Sequence, residues 1–118
     1  MSEPTATVLW LPADGPPLRD EHDATDVIGD AFGQGATWVV VPVARLEDDF
    51  FRLSTRIAGG IVQKFANYRL GLAVVGDISR HTAASGALRD FVRESNGGRQ
   101  LWFVSDTAEF DRRLAGQS

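Results

Sequence analysis

The chain has 118 residues, 43% hydrophobic and 24% charged, which suits one soluble domain with a real core and excludes two. It has no cysteine, which excludes disulfides and thiolate chemistry and fits a reducing, cytoplasmic setting. The net charge of −4 is uneven: residues 1–30 carry seven acids against Arg19, and the other 88 carry nine acids against eleven Lys or Arg, so the clustered cations of a nucleic-acid binder are missing.

No basic segment precedes an apolar core at the N-terminus, so no signal peptide is expected. The apolar runs fall well short of the roughly 20 residues of a membrane helix. Met1 to Pro4 reads as a loose end, and Thr5 to Leu11 as a first strand. Pro12 to Pro17 is a turn, with a weak strand signal at Leu18-Arg19. From Asp23, the residues Ala24, Val27, Ile28, Ala31 and Phe32 predict a helix closed by Gly33 or Gly35. Trp38 to Val43 is an almost unbroken apolar run, the signature of a strand covered on both faces, and Pro42 marks its end.

Asp48 to Tyr68 predicts one long central helix. Phe50, Leu53, Ile57, Ile61, Phe65 and Tyr68 form its apolar stripe, with Asp48 or Asp49 as cap. Arg52, Arg56, Gly59, Gln63 and Asn67 share the opposite side. A mid-helix glycine costs roughly 1 kcal/mol relative to Ala, so the Gly59-Gly60 pair points to close backbone approach. That approach is by the sheet beneath, by a partner helix or second subunit, or by a ligand, with a mere irregularity of the helix as the remaining reading.

Leu70 to Val75 is a second buried strand, and Gly76 to Thr82 is the polar turn after it. A third helix is expected from Ala83 to Ser95, ending at Asn96-Gly97-Gly98. Leu101 to Val104 is a last strand, and Asp106 to Glu109 fits a capping box opening a final helix to Leu114. Helices alternating with short apolar strands predict a single α/β domain over 1–118, ordered from about 5 to 115. The expected sheet is mixed but mostly parallel, of four to five strands with about four helices. Ligands in such sheets gather at the strands' carboxyl ends, here Ala44–Asp49, Gly76–Thr82 and Ser105-Asp106.

Several runs resemble the bacterial domain-of-unknown-function 4180 family. They are Asp49-Phe50-Phe51, Leu53-Ser54-Thr55, Ala58-Gly59, Gln63-Lys64-Phe65 and Asn67-Tyr68, then Val75-Gly76-Asp77 with Ser79, Leu88-Arg89-Asp90-Phe91 and Glu94-Ser95-Asn96. The similarity covers about residues 5 to 115, and Gly60 departs from the pattern. The family's element order is similar to that of STAS domains, in which a helix after a buried strand starts near a phosphorylatable serine and docks a partner. That resemblance implies a regulatory or interaction role with Ser54 or Thr55 near the switch position, although the Asp-Ser-Ser-Gly loop is replaced by Arg52-Leu53-Ser54-Thr55-Arg56. It also raises Arg89, Asp90, Glu94 and Asn96 as a contacting set.

Asp77, Ser79 and His81 offer the residue types of a nucleophilic triad, but alternating positions in one short loop seldom converge on that geometry. Local backbone hydrogen bonds and capping of the next helix are the simpler reading; anion binding helped by Arg80 is the other. His22 and His81 are the only histidines and lie far apart, so no metal or other cofactor is expected. Trp10, Trp38 and Trp102 fall on strands and read as core. The preferred expectation is a non-enzymatic domain acting on a protein partner or on itself through the central helix. The alternative is a small-ligand or anion binder, or weak hydrolase, at Gly76–Thr82.

Overall fold

Each apolar run of the sequence becomes a strand. β1 (Val8–Trp10), β2 (Trp38–Pro42), β3 (Gly71–Val75) and β4 (Leu101–Val104) lie side by side in chain order, every neighbouring pair parallel. The structure, a computed structural model, describes residues 7–116. The Met1–Pro4 end and the Thr5-Ala6 start of the first strand lie outside the described residues.

Successive strand residues point to opposite faces, and both faces are covered, which is why the runs are apolar without alternation. On one face Val39, Val41, Leu72, Val74, Leu101 and Phe103 pack against α1 (Glu21–Gly33), α3 (Ile57–Asn67) and α5 (Gly86–Asn96) through Ile28, Phe65 and Leu88. On the other, Trp38, Val40, Ala73, Trp102 and Val104 pack against Phe110 of α6 (Thr107–Ala115). Trp38 and Trp102 stack at 4.2 Å between centroids, and a Cβ at Gly71 would collide with the Trp38 indole. Trp10, expected in the core, is instead 46% exposed: β1 is an edge strand, and its indole meets Phe110 in a T-shaped contact at 5.5 Å.

The four expected helices become six because the two longest are each broken once. In place of one central helix, α2 (Asp48–Phe51) is followed by a 3-10 turn at Leu53–Thr55, a left-handed Arg56 at φ 64°, and then α3. The Thr55 hydroxyl lies 2.7 Å from the carbonyls of both Asp49 and Arg52, acceptors that a continuous helix would have paired with amides. The break also lets adjacent Phe50 and Phe51 both be buried. The third helix starts early as α4 (Ser79–Ala84), and Ser85 then interrupts it by capping α5, its Oγ accepting from Leu88 N at 3.1 Å.

Smaller expectations fare variously. Asp20 caps α1, and Gly35 at φ 69° reverses the chain after it. Asp106 caps α6 by accepting from Glu109 N at 2.8 Å; Glu109 reaches back to the amide of Ser105, one residue before the cap. Leu18 forms no strand. It is buried in a loop whose shape is held by Arg45, a residue only 5% exposed that donates from Nε to Pro16 O and from Nη1 to Pro12 O. Sequence patterning gave no sign of that buried guanidinium.

Candidate functional site

At the carboxyl edge of the sheet, β3 leads through α4 to α5 on one face, and β4 leads to α6 on the other. Neighbouring strands whose connections part to opposite faces leave a crevice between them, the usual ligand position in open parallel sheets. A crevice of about 450 Å³ lies there. Ile78, Val92, Phe103 and Val104 make its apolar wall; Asp77, Ser79, Thr82, Arg89, Arg93, Ser105 and Glu109 make its polar rim.

Local chemistry fixes the rim. Gly76 adopts φ 139°, a conformation side chains disfavour, and a Cβ there would come within 2.8 Å of Val43. The chain then turns at Asp77, whose Oδ1 accepts from Ser79 N at 2.8 Å. The hydroxyl and amide of Ser79 hold the Asp77 carboxyl below the usual carboxylate range. Arg93 pairs with Asp90 at 3.0 Å. The Arg89 guanidinium has neither an ion pair nor a hydrogen bond to the other described residues.

On the other side of α4 lies a second cleft of about 600 Å³, lined by Asp48, Phe51, Arg52, Leu53, Ser54, Arg80, His81, Ala84, Ser85 and Ala87. Arg80 Nη2 donates to Asp48 Oδ1 at 2.8 Å, and His81 Nε2 lies 4.0 Å from the same oxygen. The His81 ring stacks on buried Phe51 at 4.1 Å with 12° between planes, leaving 12% of its side chain exposed. Burial holds the His81 pKa below its ordinary value; Arg80 and Arg52 push the same way and Asp48 opposes them.

The sequence-expected residues therefore divide. Asp77, Ser79 and Arg89 share the crevice, whereas Arg52, Ser54, Arg80 and His81 share the cleft. Asp77 is occupied by the Ser79 amide while His81 faces Phe51 and Asp48, so the histidine of the triad residue types is set apart from the other two. Thr55 closes the turn before α3 with its hydroxyl, and Arg56 is exposed in its left-handed position. Gly59 is exposed with nothing within 4 Å of where a Cβ would stand, which overturns close packing by the sheet; the tight glycine is Gly60, against Glu21 at 3.1 Å. Asn96 turns its amide onto the free edge of β4, donating to Phe103 O at 3.2 Å and accepting from Phe103 N at 2.7 Å.

Asp48, Phe51, Val92, Phe103 and Glu109 line these pockets without having been singled out as site residues. Asp48 carried a capping signal and fell in the Ala44–Asp49 loop, Glu109 carried a capping signal, Phe51 belonged to a run resembling the family, and Val92 and Phe103 fell on an expected helix and strand. Among the described residues no group of three or more His, Cys, Asp or Glu could hold a metal ion. None of the described helices is long and apolar enough to cross a membrane.

No curated protein and no solved structure matches the chain at the significance required. One family model does match, over residues 3–114, nearly the whole length. The chain belongs to the domain-of-unknown-function family DUF4180.

Proposed function

We propose that this domain is a non-enzymatic, cytoplasmic regulatory module that binds a small organic anion in the crevice between the carboxyl ends of β3 and β4. The observation that carries this reading is the crevice itself, at the one place where neighbouring strands send their connections to opposite faces. Its volume of about 450 Å³ suits a small molecule, and its apolar wall suits a hydrocarbon or ring portion. The Arg89 fork, unpaired among the described residues and beside Arg93, suits a carboxylate or phosphate. A non-enzymatic reading is supported by the separation of His81 from Asp77 and Ser79.

Output in this reading runs through the α2–α3 segment to a protein partner or a second copy of the chain, as the resemblance to STAS domains in element order implies. Arg52, Ser54, Arg56 and Gly59 are exposed along it. Ser54 is the freer hydroxyl for modification there, because that of Thr55 is held by backbone carbonyls. The test is thermal unfolding against a panel of small carboxylates and phosphates. A ligand present at a hundredfold over its Kd stabilises by about 2.7 kcal/mol, an easily read rise in melting temperature. The rise should vanish in Arg89→Ala. A panel without effect on the wild type, or with equal effect on both proteins, rejects the crevice as the site.

A further inference from the structure

The cleft between α2 and α4 is set apart by one carboxylate oxygen that two basic side chains approach together. Asp48 Oδ1 is the common target of Arg80, at 2.8 Å, and His81, at 4.0 Å. Arg52 lines the same cleft and acts on the His81 charge, so two arginines and a histidine share one cavity wall with that carboxylate. Asp48 is 55% exposed, and its ion pair with the 74% exposed Arg80 is of the solvent-screened kind that contributes little. Arg52 is likewise tied only to exposed Asp49. Both arginines can thus exchange their carboxylates for a stronger acceptor at small cost. Beside them, Phe51, Leu53, Ala84 and Ala87 give the 600 Å³ cleft an apolar wall, and the cleft is larger than a bare oxyanion needs.

We infer that the α2–α4 cleft is a second ligand site, one that takes a phosphate dianion carried on a small organic body, with Asp48 as the resident carboxylate that the phosphate displaces. A dianion with three acceptor oxygens engages Arg52, Arg80 and His81 together, which the single Asp48 oxygen does not. The Ser54 and Ser85 hydroxyls, on the same lining, add neutral donors. This site has no lining residue in common with the crevice, although α4 and α5 contribute residues to both.

Amide NMR titrations with phenyl phosphate and with inorganic phosphate, at pH 7.5 where both are mainly dianions, test it. Saturable shifts are expected at Ser54, Arg80 and His81. Arg52→Ala and Arg80→Ala should each weaken binding about fivefold, the effect of losing one charge-assisted contact at an exposed site. Asp48→Asn should tighten binding, because it removes the competing carboxylate, and Arg112→Ala, exposed and outside both cavities, should leave it unchanged. Tighter binding of phenyl phosphate supports the organic body, and equal binding of the two supports a site for free phosphate. Shifts that never saturate, indifference to both arginine variants, or an Asp48→Asn protein that binds no better than wild type would each overturn the inference. Because the arginines and Asp48 are exposed, their variants are expected to fold, and far-UV circular dichroism checks it.

Discussion

Two glycines behave oppositely when a methyl group is added. Gly59 is helical and open, so Gly59→Ala is expected to raise stability by about 0.5–1 kcal/mol through helix propensity alone. Gly71 faces the Trp38 indole across the ladder, and Gly71→Ala forces that ring out of its stack with Trp102; a loss of roughly 1–3 kcal/mol follows from overpacking. Urea denaturation measures both. A destabilised Gly59→Ala protein with unchanged oligomeric state contradicts the open surface, whereas lost self-association would mark a partner's approach at that residue. From sequence the two glycines were not separable in this way. The Gly59-Gly60 pair was conspicuous because it interrupts a helix, while Gly71 passed as part of an apolar run.

At the scale of elements, the strands were legible because a strand buried on both faces has to be apolar throughout. The helix breaks were not. Apolar residues three and four apart recur equally in one long helix and in two short ones sharing an axis direction. What divides them is a single hydroxyl, Thr55, and a single left-handed residue, Arg56. The site loops could be located by the carboxyl-end rule, but the pairing of Asp48 with Arg80, 32 residues apart, depends on how α2 and α4 pack. Asn96 shows a further element-level device. Its amide imitates a neighbouring strand for the backbone of Phe103 at the sheet's free edge. Asn96→Ala leaves that N–H and C=O without their partner and should lower stability by roughly 1–3 kcal/mol. It also opens the edge to pairing with another chain, so sedimentation should show added self-association. An Asn96→Ala protein with wild-type denaturation midpoint and sedimentation would reduce the clamp to an incidental contact.

For the whole molecule, acid sensitivity follows from two groups. The folded state depresses the His81 pKa, so the unfolded chain binds the proton more readily, and stability is complete above the ordinary value of 6.5 and falls as pH drops through that range. The Asp77 pKa is depressed too. Its contribution is present above the ordinary 3.8 and is lost below it. His81→Phe keeps an aromatic ring on Phe51 and cannot titrate, so its melting temperature should depend less steeply on pH between about 5 and 7 than that of the wild type. Parallel curves for the two proteins would mean that His81 is not the group responsible.

The crevice at the parting of the β3 and β4 connections is the centre of the functional reading, and the crevice can be asked directly for its ligand. The purified protein, equilibrated with a small-molecule cell extract, is separated from unbound material and its retained compounds are identified by mass spectrometry. One or more small organic anions should be enriched on the wild type and absent from Arg89→Ala, whose guanidinium lies on the rim without an ion pair to the other described residues. Retention of nothing by the wild type, or of the same compounds by both proteins, would contradict ligand binding at this crevice.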